Sequence, residues 1–165
     1  MTKHDVRIDV LDRRSLVISA AAAAFLLAAG RALAEDVTPA PVLERSKQFA
    51  DAYAALIADG KPLEGKITLE LPDVAENGNF VPLTVSVDSP MTEQDYVKTI
   101  HILSTSNPVA RIASFHLSSV NGIAKVQSRI RLAKSQEVMA LAHLSNGLIL
   151  LGTTTVKVTI GGCAS

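Results

Sequence analysis

Val81-Pro82-Leu83-Thr84-Val85-Ser86-Val87-Asp88-Ser89-Pro90 decides the fold. Apolar side chains fall at every second position from Val81 to Val87, and the run stops at Ser89-Pro90. That is the pattern of a strand with one face in a core and the other in solvent. The same period extends in both directions. Upstream, Ile67, Leu69 and Leu71 alternate with polar residues and stop at Pro72. Downstream come strand-like runs over Val97–Ser104, Arg111–Leu117, Ile123–Leu132 and Glu137–Leu144, then two more between Leu148 and Ile160. Turn signals separate them at Asn77-Gly78-Asn79, Asn107-Pro108, Asn121-Gly122, Lys134-Ser135 and Asn146-Gly147.

Roughly seven or eight short strands at near-regular spacing, with hairpin dipeptides between them, predict an all-β antiparallel sandwich. The spacing leaves no room for crossover helices, which disfavours a doubly wound α/β fold. Val156, Val158 and Ile160 alternate inward against Lys157 and Thr159, so the last strand is expected to be anchored up to Ile160. One helix precedes the sheet, predicted over Leu43–Asp59. Phe49, Tyr53, Leu56 and Ile57 lie on one face of it, and Gly60 and Pro62 close it. The carrier of this pattern is a single domain over 43–160.

Residues 1–34 read as an export address. Arg13-Arg14 precede an apolar stretch from Leu16 to Ala29 that is too short to span a bilayer, and Ala32-Leu33-Ala34 offers a cleavage site. The paired arginines, the polar lead from Met1 to Asp12 and the alanine-rich core favour the twin-arginine route, hence a periplasmic location. Residues 35–42, with Pro39 and Pro41, read as an extended linker. No membrane insertion of the mature chain is expected. Its 11 basic and 13 acidic residues remain after five of 16 and three of 16 are lost with the signal, a net charge of about −2 without a basic run. Nucleic acid, which needs clustered Lys and Arg, is not an expected partner. Tryptophan is absent and aromatics are 4% of the chain, so the core falls to Val, Ile, Leu and Ala.

Residues that carry chemistry are few. His101, His116 and His143 each sit inside a strand pattern, away from any recurring metal-ligand spacing, and read as surface or half-buried histidines. An enzyme with a metal held by these three is the least favoured alternative. Glu93 and Asp95 follow Pro90-Met91-Thr92 and read as turn residues in solvent. Arg129 and Arg131 project to one face of a strand and read as a solvated face rather than an anion site. No nucleophile motif, phosphate loop or Cys-x-x-Cys pair is present.

There is one cysteine, Cys163, and it lies in Gly161-Gly162-Cys163-Ala164-Ser165. Alone in an oxidising compartment, it has no partner for an internal disulfide. Two glycines before it predict a flexible arm over 161–165, reaching roughly 10 Å past the last strand. No cation adjoins Cys163 in sequence, and at a reference pKa of about 8.5 only a few per cent is thiolate at neutral pH. Activation therefore falls to whatever enzyme accepts the arm, which argues against a peroxidase or a disulfide reductase. The alternative is a periplasmic binding or structural β-sandwich whose C-terminal cysteine is incidental.

Glu76-Asn77-Gly78-Asn79, then Val81 to Thr92, Tyr96-Val97, Phe115-His116, Arg129-Ile130-Arg131-Leu132-Ala133 and Val156 to Cys163 occur in an order that resembles the SoxY family, the sulfur-carrier subunits of thiosulfate-oxidising Sox systems. The resemblance extends from near Phe49 to Cys163. It implies an immunoglobulin-like sandwich, a SoxZ-like subunit in a heterodimer, and no enzymatic turnover or cofactor. It further implies that Cys163 takes up thiosulfate as an S-thiosulfonate, with Gly161 and Gly162 as the flexible arm that lets the adduct reach partner enzymes. Members usually end Gly-Gly-Cys-Gly-Gly; here Ala164-Ser165 replace the second glycine pair.

Overall fold

The computed structural model describes residues 43–162; the expected signal peptide (1–34), the linker (35–42) and Cys163, Ala164 and Ser165 lie outside the described residues. The quoted alternation becomes β4 (Val81–Val87), with Val81, Leu83, Val85 and Val87 all buried. It is the middle of a three-stranded antiparallel sheet, between β2 (Ile67–Glu70) and β7 (Ala124–Ile130).

Facing it is a six-stranded sheet in the order β1 (Leu63–Glu64), β9 (Ile149–Ile160), β8 (Gln136–Leu144), β5 (Val97–Ser104), β6 (Arg111–His116), with β3 (Val74–Asn77) also paired to β9. The main core lies between the sheets, where Val81, Leu83 and Val85 meet Ile100, Ile102, Val138, Ala140 and Val156. Each such Val, Leu or Ile contributes about 1.5–3 kcal/mol on full burial, which lets an aliphatic core stand without tryptophan.

The outer face of the larger sheet carries a second cluster. Leu103, Met139, Leu141 and Ile149 are buried there under Phe49 of α1 (Lys47–Ile57), with Tyr53, Leu56 and Ile57 packed beside it. The helix begins four residues later than the periodicity predicts. Ser46 is its N-cap: its Oγ accepts the Phe49 N–H at 3.2 Å, while its own N–H donates to the Thr105 carbonyl at 2.8 Å and pins the helix to the sheet. No helix among the described residues is long and apolar enough to cross a membrane.

The sandwich matches the expected architecture, with three differences. The two runs after Leu148 are one 12-residue strand. It passes through Gly152, where a Cβ would sit 2.9 Å from Ile67 Cγ2, so glycine there serves close packing of the two sheets rather than a turn. Two short strands, β1 and β3, were not expected. Both pair with β9 in parallel, so the sheet is mixed rather than wholly antiparallel. The cause is the length of β9: its edge away from β8 would otherwise carry unpaired backbone groups, and Leu63–Glu64 and Val74–Asn77 cover it.

Candidate functional site

The site grows from the end of β9. Val156 is buried and Val158 half-buried, as the alternation predicts, while Ile160 is 66% exposed at the rim. Pairing with β3 continues to Asn77↔Ile160. The sequence reading starts the arm at Gly161, where this pairing stops; in the structure backbone bonding continues through Gly162. Gly78 donates its N–H to the Ile160 carbonyl at 2.8 Å, Leu132 donates to the Gly78 carbonyl at 2.8 Å, and Gly162 donates to the Leu132 carbonyl at 2.9 Å. Three segments far apart in sequence thus meet in one backbone junction, and it joins the larger sheet to the chain that leaves β7 of the smaller one.

Glycine is required on both sides of that junction. A Cβ on Gly162 would lie 2.7 Å from the Gly78 carbonyl oxygen, and one on Gly78 would lie 2.6 Å from Gly162 N and collide with the Leu132 carbonyl oxygen. A Cβ on Gly161 would run into the Ala133 carbonyl oxygen. Gly161 and Gly162 are expected from the sequence to give freedom of movement, and Gly78 to sit in a turn. In the described residues they permit close approach of backbone to backbone.

Arg131-Leu132-Ala133 is itself held by a buried amide pair that sequence reasoning missed. Asn107 Nδ2 donates to the Arg131 carbonyl at 2.8 Å, and its Oδ1 accepts from the Ala133 N–H at 3.0 Å and from Gln136 Nε2 at 2.8 Å. Gln136 Oε1 accepts the Ser106 N–H at 2.8 Å. Gln136 is fully buried and Asn107 nearly so. The hydroxyl of Ser135 accepts the Val158 N–H at 2.9 Å and ties β9 to the same segment. Buried polar groups at this density are kept only when satisfied, and these are. Asn107-Pro108 reads as a turn in sequence, and no local pattern shows that its side chain reaches Arg131 and Ala133.

The other candidates form no second site. The His101 and His143 rings meet edge-on with centroids 5.3 Å apart, His101 Nδ1 bonds to Ser114 Oγ at 2.7 Å, and His116 Nδ1 bonds to Thr99 Oγ1 at 3.2 Å. Burial, then the charges of His143, Arg111 and His116, push His101 down from 6.5 to about 4; burial lowers His143 too. No group of three His, Cys, Asp or Glu side chains among the described residues is arranged to hold a metal. Asp95 closes a turn, its N–H donating to Thr92 Oγ1 at 3.1 Å, and Glu93 is exposed. Arg129 and Arg131 are exposed side chains.

Comparison with known proteins falls on the same residues. The family described as "Sulfur oxidation protein SoxY" matches residues 53–163, from within α1 through the junction to the cysteine. Among solved structures, the sulfur carrier protein SoxY from Chlorobium limicola f thiosulfatophilum is 30% identical, with a TM-score of 0.56, covering 68% of this chain and 97% of that one. A superoxide reductase (neelaredoxin) from Ignicoccus hospitalis has a TM-score of 0.51 at 14% identity, covering 57% of this chain and 80% of its own. At that identity the likeness shows a shared fold alone. No curated protein matches the sequence. With more than half of its length matched, the last matched residue being its single cysteine, the chain belongs to the SoxY family of sulfur oxidation proteins.

Proposed function

We propose that this protein is a covalent sulfur carrier, holding intermediates of thiosulfate oxidation on Cys163 and presenting them to separate enzymes without turning them over itself. The observation that carries the reading is the family match ending on Cys163, the one thiol in the sequence. The Chlorobium relative, which its description calls a sulfur carrier protein, supports it.

The chemistry follows from one thiol. On loading, the Cys163 sulfur bonds to the terminal sulfur of thiosulfate, giving Cys–S–S–SO3⁻. The S–H bond is lost as a proton, and two electrons pass to an electron acceptor on the loading enzyme. Hydrolysis of the S–SO3⁻ bond then releases sulfate and a proton and leaves a persulfide on the cysteine. The carrier needs no cofactor of its own for either step. A thiol with a reference pKa of about 8.5 is mostly protonated and idle at neutral pH, which suits a sulfur that must react only inside the enzyme that activates it.

In this reading Arg13-Arg14 direct export through the twin-arginine route to the periplasm, and a SoxZ-like subunit is the heterodimer partner. Gly161 and Gly162 lead the chain to the attachment point. The deciding experiment is the intact and Cys163-peptide mass of protein isolated from thiosulfate-oxidising cells. The expected result is a sulfur-containing adduct on Cys163, absent in Cys163→Ser. A Cys163 that stays unmodified under every sulfur supply refutes the carrier. Replacing Arg13-Arg14 by lysines is expected to leave the protein in the cytoplasm on fractionation, and co-purification from the periplasm tests the partner.

A further inference from the structure

We propose that Gly78 is a positioning residue for the chain end that carries Cys163: through the junction with Leu132 and Gly162 it anchors the backbone as far as Gly162, two residues beyond the last strand. The functional meaning rests on the carrier reading above; the geometry does not.

Three observations carry it. The hydrogen bonds at 2.8, 2.8 and 2.9 Å run in relay, from Gly162 to Leu132, from Leu132 to Gly78 and from Gly78 to Ile160, so each of the two inner residues both donates and accepts. Gly162 is buried although it lies beyond the last strand. The seat on which it rests is fixed from behind by the Asn107–Gln136 amide pair, which binds both neighbours of Leu132. A glycine needed only for its backbone angle leaves open space at its missing Cβ, as at Gly122 (φ 70°) and Gly147 (φ 87°); the missing Cβ positions of Gly78 and Gly162 are filled by each other's backbone and, at Gly78, by the Leu132 carbonyl.

The consequence is a change in reach. With Ile160 as the last held residue the cysteine Cα can lie anywhere within roughly 10 Å of the strand end, whereas with Gly162 held it lies about 3.8 Å from a fixed Cα. A shorter tether confines the sulfur to a smaller volume and raises its effective concentration at a docked enzyme, at the expense of distance. Gly78, more than 80 positions upstream, sets that volume.

The test uses the full mature chain in its unloaded state, so it is independent of whether sulfur is ever carried. Hydrogen exchange at the Gly162 amide is expected to be at least roughly tenfold slower than for an unstructured glycine. A nitroxide attached to Cys163 is expected to give a restricted line shape. Gly78→Ala is expected to remove the Gly162 protection and narrow the nitroxide spectrum, with protection at Leu83 and Ile102 retained. Should Gly78→Ala fail to fold, Gly162→Ala carries the same expectation, and exchange in the unmodified chain decides alone if neither folds. Exchange of Gly162 at the unstructured rate, or a folded variant whose nitroxide spectrum is unchanged, overturns the proposal. An absent sulfur adduct with a protected Gly162 refutes the carrier and leaves the junction standing.

Discussion

Asn107 shows how much one side chain can hold. It satisfies the Arg131 carbonyl and the Ala133 N–H, both part-buried, and one proton of the fully buried Gln136. Asn107→Ala leaves these groups unpaired, and urea unfolding is expected to show a loss of about 2–4 kcal/mol, above the typical surface substitution. His101 gives a prediction in pH. Its folded-state value is about 4 against 6.5 in the unfolded chain, so between these values the unfolded chain binds more protons. Stability is therefore fully present above pH 6.5 and is lost as pH falls toward 4. His101 is half-buried rather than sealed in the core, so solvent screening keeps the loss modest. His101→Asn is expected to flatten the fall of the urea midpoint between pH 6.5 and 4, and a ring titration by NMR gives the folded value directly.

At the level of elements, α1 is attached by a small number of strong contacts. Phe49 is 3% exposed between the helix and Leu103, Met139 and Leu141. Phe49→Ala is expected to cost about 3–5 kcal/mol, and Ser46→Ala, which removes only the cap, about 1 kcal/mol. Both are read from denaturant midpoints. The helix face was legible because Phe49, Tyr53, Leu56 and Ile57 repeat at helical spacing, whereas its start was set by a cap, Ser46, three residues inside the predicted boundary. Among the strands, β4 was legible because one face is fully buried and the alternation is strict. β3 was not, since Val74-Ala75-Glu76-Asn77 buries only Ala75 and exists as a strand because β9 offers it an edge. No local pattern encodes a strand made by its neighbour. The same reason hid the junction: Gly78 and Gly162 are turn and tail in sequence, and only folding brings them into contact.

For the whole molecule, the described fold and the proposed attachment point occupy different stretches of the chain. The described core, both hydrophobic clusters and the junction are complete by Gly162. A chain stopped after Gly162 is therefore expected to keep its thermal midpoint within about 2 °C, since no buried contact of the described residues is lost, while losing all sulfur loading. Calorimetry and the mass measurement check the two halves. The position of the cysteine was legible from composition, as the only thiol in a chain without other nucleophile motifs. The backbone that holds its neighbour was not.

β9 is bordered on one side by β8 and on the other by β1 and β3, so the strand that comes after all the others in sequence is an inner strand of its sheet. During synthesis β1 and β3 have nothing to pair with until residues 149–160 have left the ribosome, and a nascent chain must wait with its edges open. A chain that ends before residue 149 lacks the partner of β1, β3 and β8, thiol and last strand being withheld together, and is expected to stay open to proteolysis.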